Sequence, residues 1–320
     1  MSSVGESHEL KPLETNVIDT VRDAVGRTLR FVIAAALSLG VLAAQAPDVA
    51  QAPDAAQAPD ASAANEKKLL LWMDNSFTGL YGAGFKIDDG DQGSLIFEHV
   101  SGWSFGDLYT FFSQDWFVNP TGDEGTSWYG EFSPRLSLGK ILGKDLSFSI
   151  FGQDLVVWKD TLIAMTYERG RHSGLTESLL LGVGFDVDLS AFGVLGDRTE
   201  YFQVNVFARN ELNDGAGDDP DRGFEDLQIT VVAAVQPLEI GQAKILIDMF
   251  IDFVAGWGPQ AQNFHFSPQI KLDIGNFWGK PRMLYFGVDI DIWTNKYGLQ
   301  GSDAFDTDQV AASALVKFHF

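Results

Sequence analysis

Eight side chains able to hold a small polar molecule fall in stretches where polar and aromatic residues alternate with apolar ones: Glu98, Asp115, Tyr129, Glu131, Arg135, Gln153, Asp186 and Asp188. Carboxylates and amide oxygens accept hydrogen bonds from hydroxyl and amino groups, a guanidinium donates them, and a phenol adds a flat face for stacking. In a regular strand Tyr129, Glu131 and Arg135 share a face, opposite Trp128, Phe132 and Leu136. Asp115 shares a face with Tyr109, Phe111 and Phe117, away from Trp116, and Glu98 projects opposite Leu95 and Phe97. Glu131 and Arg135 are separated by about 13 Å along a strand, so each must find partners on neighbouring strands.

Other chemistries have weaker support. His172-Ser173 are adjacent, but a Ser-His nucleophile needs a third group orienting the base, and no motif surrounds the pair. Gly82-Ala-Gly84 lacks the spacing and following helix of a dinucleotide fingerprint. Asp214-Gly-Ala-Gly-Asp-Asp-Pro-Asp221 is oxygen-rich but lacks the ligand order of a calcium loop. There is no Cys, hence no disulfide, thiolate metal site or cysteine nucleophile. No metal or cofactor is expected. With 22 Lys+Arg against 44 Asp+Glu, the net charge of −22 excludes nucleic acid as a partner in the absence of a basic patch.

The first 66 residues stand apart from whatever positions these groups. Arg27-Thr-Leu-Arg30 precedes an apolar run from Phe31 to Ala44, ending in Ala44-Gln45-Ala46. A basic flank, a short apolar core and a small-x-small ending make 1–46 a signal peptide with a long leading region. Residues 47–66 carry a Gln-Ala-Pro-Asp repeat that blocks helix and cannot build a core, so this segment reads as a disordered linker.

From 67 to 320 the dominant period is two. Leu284, Phe286, Val288, Ile290 and Ile292 alternate with Tyr285, Gly287, Asp289 and Asp291; Leu179, Leu181, Val183, Phe185 and Val187 alternate with Gly182, Gly184, Asp186 and Asp188. Segments 225–235 and 245–253 divide in the same way. Successive strand side chains point to opposite faces. The segments run to about 10–14 residues, whereas soluble strands average about 5–6 and a tilted strand needs about 9–11 to cross a bilayer. Strands are expected near 69–80, 94–103, 107–118, 127–138, 146–158, 176–190, 200–211, 225–236, 243–256, 264–275, 282–293 and 308–320. The chain ends Ala314-Leu-Val-Lys-Phe-His-Phe320, alternating with a terminal aromatic. The expected fold is therefore all-β, a closed antiparallel transmembrane β-barrel of about 12 strands with both termini periplasmic, because a sheet in hydrocarbon cannot leave an edge unpaired. Connections such as Lys159–Leu175 and Thr294–Thr307 are expected to be the longer, outer set, and Gly139–Asp145 belongs to the short set. The eight Trp residues fall near expected strand ends, where girdle aromatics sit.

Several stretches resemble one family: Phe97-Glu-His-Val-Ser-Gly-Trp103 with Gly106-Asp107, Asp115-Trp-Phe117, Glu131-Phe-Ser-Pro-Arg-Leu-Ser137, Asp145-Leu-Ser-Phe148, Tyr167-Glu-Arg-Gly170 and Leu181-Gly-Val-Gly-Phe-Asp-Val-Asp188. In order and spacing these are similar to the Tsx-type nucleoside-specific channels of the bacterial outer membrane. The resemblance implies a monomeric twelve-stranded barrel in a Gram-negative outer membrane. It also implies passive passage of nucleosides, with free bases and nucleotides passing poorly, and makes the eight residues above pore-lining contacts. Partners would be nucleosides or similar small solutes and membrane lipid. Two alternatives remain open: an outer-membrane lipid hydrolase with a Ser-His site at the rim, and a plugged barrel scaffold whose loops do the binding.

Overall fold

The alternation of Gln309–His319 becomes a division between inside and outside in the computed structural model. Gln309, Ala311, Ser313, Leu315 and Lys317 are buried, and Val310, Ala312, Ala314, Val316 and Phe318 are exposed. The structure describes residues 68–87, 90–118, 125–149, 156–171, 175–189, 193–214, 223–258, 260–300 and 306–320, all within the unit Pro59–Phe320. The expected leader, linker, Gln153 and His172 lie outside these residues, as do most of the loop acids.

The strands are β1 (Leu70–Ala83), β2 (Asp91–Trp103), β3 (Gly106–Val118), β4 (Thr126–Ser137), the two-residue β5 (Phe148–Ser149), β6 (Val156–Arg171), β7 (Leu175–Val187), β8 (Thr199–Asp214), β9 (Phe224–Ile240), β10 (Ala243–Val254), β11 (Asn263–Asp273), β12 (Leu284–Thr294) and β13 (Gln309–His319). Each long strand pairs antiparallel with its sequence neighbours; β4 pairs directly with β6, and β5 only adds to the margin of β6. The seam closes where β1 meets β13, from Ser76↔His319 to Ala83↔Ala312. The result is a closed ring of twelve long strands. An even ring brings both termini out at one end, here called the terminal end. Among the described residues no helix is long and apolar enough to cross a membrane.

The ring is apolar outside and polar within. Phe77, Leu95, Phe112, Phe132, Ile163, Leu181, Ile270, Phe286 and Val288 are exposed on the outer face, while Ser76, Thr78, Arg135, Glu168, Gln228, Lys271, Asp289 and Lys317 are buried. A soluble core has the opposite arrangement. Wall glycines allow close approach where a side chain would collide. A Cβ on Gly182 would lie 1.9 Å from the Val206 carbonyl oxygen, and one on Gly287 would lie 2.1 Å from that of Ile270.

Three expectations need correction. The fifth long strand is β6, over Val156–Arg171, and runs well past the expected 146–158, within which Phe148–Ser149 forms the separate β5. Charges at Lys159, Glu168, Arg169 and Arg171 made the segment look like a loop. Ile163 is exposed on its outer face and Leu162, Ala164 and Thr166 are buried inside, so the period of two was present but the inner face is unusually apolar. Moving this strand also undoes the expected length contrast. β4 ends and β6 begins at the terminal end, where α1 (Leu138–Leu142) follows β4, whereas β6 ends at Arg171 and β7 begins at Leu175 at the other end. Helix α1 is short but capped: Ser137 Oγ accepts from Lys140 N–H, and Gly143, at φ 61°, takes the left-handed position. Lastly, Trp293 is not a girdle residue. It turns inward and stacks on His265 at 3.8 Å, whereas Trp72, Trp116, Trp257 and Trp278 are exposed.

Replacing Leu181, on the outer face in the middle of β7, by Arg is expected to destabilise the barrel by about 2–4 kcal/mol near the bilayer midplane. Urea titration of the protein folded in phospholipid vesicles checks this; no change would put Leu181 outside the hydrocarbon.

Candidate functional site

Strand parity delivers the polar groups to the lumen, and the cross-strand register decides which of them meet. On one side Glu98 of β2 receives the Lys317 ammonium of β13 at 2.6 Å and hydroxyl hydrogen bonds from Ser76 (3.3 Å) and Thr78 (3.1 Å) of β1. Next to Lys317 around the wall, Lys271 of β11 bonds Asp248 of β10 and donates to Gln269 Oε1 at 3.2 Å. These strands are therefore joined inside the barrel by side chains as well as by the backbone ladder.

Arg135 has a comparable post on the opposite side. Nε and Nη2 grip Asp107 of β3 at 2.8 and 2.7 Å, and Nη1 stands 3.1 Å from Asp186 of β7. The planar fork of arginine suits this bidentate contact. Arg135 is only 6% exposed, so most of its charge is committed to the wall.

Between Arg135 and the end of the barrel away from the termini lies a group with surplus acid. Glu131 of β4 sits directly across the ladder from Glu168 of β6. Tyr129 donates to Glu131 Oε1 at 2.9 Å. The neighbouring cation is Arg209 of β8, whose Nη1 lies 2.9 Å from Glu168 and which also reaches Ser178 at 2.9 Å, Gln228 at 2.8 Å and Glu211 at 3.5 Å. Asp252 of β10 accepts from Gln228 at 3.2 Å and from Thr230. Beside this acid group runs a row of rings: Tyr109 to Phe111 at 5.8 Å and Phe111 to Tyr129 at 5.7 Å between centroids. Phe111 pairs with Glu131 across the ladder, which places a flat apolar surface next to a carboxylate.

The remaining expected residues occupy separate places. Asp115 accepts from Ser113 at 2.8 Å and from Ser127 at 3.0 Å, farther along the β3–β4 wall. Asp188 follows β7 and pairs with Lys159 at 3.2 Å, near the terminal end. Glu98, Tyr129, Glu131, Arg135 and Asp186 thus line the lumen in different clusters and do not form one constellation. Sequence reasoning missed Asp107, Glu168, Arg209, Asp248, Lys271 and Lys317. Lys317 and Lys271 sit at polar positions of alternating strands and were open to discovery by parity. Glu168 was hidden by the misplaced fifth strand, and Arg209 by the absence of an obvious partner for it in sequence.

His99 faces outward, on the same side of β2 as Leu95. Its Nδ1 lies 2.8 Å from Asn75 Oδ1 and its Nε2 2.9 Å from Ser101 Oγ, which also accepts from the Trp103 indole at 2.9 Å. The chain of groups has the order of a nucleophile, a base and an orienting amide. Ser101, however, has no exposed surface, so its hydroxyl is not presented to an ester. Mutual satisfaction of polar groups near the rim of the lipid-facing wall accounts for the cluster.

A closed barrel of this size, apolar without and lined by hydrogen-bonded polar groups, is an outer-membrane channel barrel. The family model described as "Nucleoside-specific channel-forming protein, Tsx" matches residues 69–320, and the chain belongs to that family. Among solved structures, the KdgM porin aligns with 8% identity over 77% of this chain and 99% of its own, at a TM-score of 0.41. OccK3 of Pseudomonas aeruginosa aligns with 10% identity over 78% and 95%, at a TM-score of 0.24. No curated protein matches the sequence.

Lys317→Met is expected to destabilise the barrel by about 2 kcal/mol, because it strands the Glu98 carboxylate in the wall. Adding Glu98→Gln should restore part of that loss. Urea midpoints of the two single variants and the double variant test this pairing; purely additive effects would show that the ion pair does not couple the strands.

Proposed function

We propose that this channel passes nucleosides in preference to sugars and phosphorylated solutes, and that the selective stretch of the lumen is the Tyr109–Phe111–Tyr129 row with Glu131 and Glu168. The observation that carries this reading is the juxtaposition of Phe111 and Glu131 across the β3–β4 ladder, one offering a face and the other a hydrogen-bond acceptor. A nucleoside presents a flat base and a hydroxylated sugar, and so matches both. Stacking is worth about 0.5–1.5 kcal/mol, weak enough for release.

Charge argues in the same direction. Arg135, Arg209, Lys271 and Lys317 are each in contact with a carboxylate, so their charge is already answered within the wall. A phosphate entering the lumen meets the acid group at Glu131, Glu168 and Asp252 with those cations already engaged, and like-charge repulsion opposes it. The family description of a nucleoside-specific channel agrees with this reading. In this reading the export signal expected in residues 1–46 delivers the chain to the periplasm, so that the barrel keeps its terminal end on that side and turns Lys296 to the outside, and the barrel works as a monomer, as the family resemblance implies.

In phospholipid vesicles, the protein should admit a nucleoside faster than a hexose, and a nucleoside monophosphate slowest. Phe111→Ala should reduce the preference for nucleoside over hexose about three- to tenfold, the equivalent of one lost stacking contact. Glu131→Gln should weaken it in the same direction. Equal entry of nucleoside and hexose through the unaltered protein would reduce the reading to a general pore.

A further inference from the structure

At the end of the barrel away from the termini, Lys296 follows β12 by two residues and is nevertheless almost fully buried, at 3% exposure. A lysine ammonium is strongly hydrated and is rarely drawn inside without partners. Its partners are unusual. Three rings surround it: Tyr297 at 5.0 Å, Phe85 at 5.5 Å and Trp293 at 5.9 Å from Nζ to centroid. All are within the range of cation–π attraction. Nζ also donates to Gln309 Oε1 at 3.2 Å and lies 4.0 Å from Asp291 Oδ2. Gln309 and Asp291 are lumen-facing groups of β13 and β12, so the side chain reaches inward from the rim.

The backbone is bent to allow this. Asn295 and Tyr297 have φ of 49° and 59°, left-handed conformations that L residues other than glycine rarely adopt. Such conformations persist only where the surroundings over-determine them. Here three connections do so. Gln309 Oε1, which holds Lys296, also accepts the Lys86 N–H of the β1–β2 connection at 2.9 Å. The Asn295 side-chain amide donates to Gln262 O at 2.8 Å, and Ala261 N–H donates to Gly298 O at 2.9 Å, tying in the β10–β11 connection. Lys296 N–H donates to Thr307 O at 2.8 Å, closing the β12–β13 connection on itself. On the lumen side Trp293 is held between this cluster and the stacked His265.

We propose that Lys296 is a positioning residue that fixes the turn 295–298 as a strap over one side of the pore mouth and thereby sets the largest solute the channel admits. The caged ammonium joins the β12–β13 connection to the β1–β2 connection through Phe85 and Gln309, and the turn it holds is tied to the β10–β11 connection through Asn295 and Gly298. With it in place the mouth has a single width and does not wait on a solute to open. The selective row on β3 and β4 lies on other strands, so the strap filters by size and the row by chemistry.

Planar-bilayer recordings and vesicle entry of a trisaccharide test the proposal, with heat-modifiable electrophoretic mobility as the measure of barrel folding. The unaltered protein should give a steady current and exclude the trisaccharide. Lys296→Met, which keeps length but removes the charge, should raise the conductance, add stepwise fluctuations and admit the trisaccharide. Lys296→Arg, which keeps both charge and ring contacts, should behave as the unaltered protein. Should Lys296→Met fail to fold, Phe85→Leu removes one ring from a connection without touching a strand, and should give the same changes in smaller degree. A folded Lys296→Met or Phe85→Leu variant with an unaltered current and cut-off would overturn the proposal, as would Lys296→Arg behaving like Lys296→Met.

Discussion

No strand edge can be left open in hydrocarbon, and the rest of this molecule follows from that constraint. Each unpaired backbone group there costs several kcal/mol, so the first and last strands must find one another. The seam between β1 and β13 is reinforced beyond its ladder. Phe320 N–H donates to Asn75 O at 3.0 Å, the Phe320 ring stacks on Phe77 at 5.5 Å, and His319 contacts Asp74 at 2.7 Å inside the barrel. The alternation of the last strand thus serves two surfaces: Phe318 and Phe320 face lipid, while Lys317 and His319 close the lumen side.

Closure creates a second problem, because it turns a polar face inward on itself. Those groups must be satisfied by water, by solute or by one another. The long-range contacts Glu98–Lys317, Asp107–Arg135–Asp186 and Glu168–Arg209 solve it by pairing across strands. The desolvation of such pairs offsets much of their mutual attraction. Their clearer effect is geometric: each holds neighbouring side chains against the wall and sets where the lumen remains open.

The alternating strands were legible in the amino-acid order because lipid enforces the pattern on the outer face with little tolerance. β12 and β13 could be read residue by residue. β6 could not, because its inner face carries Leu162 and Ala164 and its ends carry charge, so the contrast between faces is weak there. The candidate lumen residues were found in part for the same reason. Parity gives the face of Glu131 or Arg135 but not its neighbours, which come from register between strands separated by dozens of residues. Arg135 looked equivalent to Glu131 from its own strand. Only the pairings with Asp107 and Asp186 distinguish a clamped group from one standing among like charges. The inward turn at Lys296 had no sequence signal, since its left-handed residues are Asn295 and Tyr297 rather than glycine.

That distinction bears on how a passive pore acquires preference. A group fully answered by its own wall has little left for a passing molecule, and displacing its partner would strand a charge. A group crowded by like charge gains whenever a neutral donor approaches, because the hydrogen bond relieves repulsion that the wall itself does not. Arg135 and Lys317 are of the first kind, and Glu131 opposite Glu168 is of the second. The proposed selectivity thus draws on a stretch of lumen where an aromatic face adjoins carboxylates that face one another. On that proposal the completed pairs Arg135–Asp107 and Lys317–Glu98 hold the wall, and the acids between them and the rim are left to meet the solute.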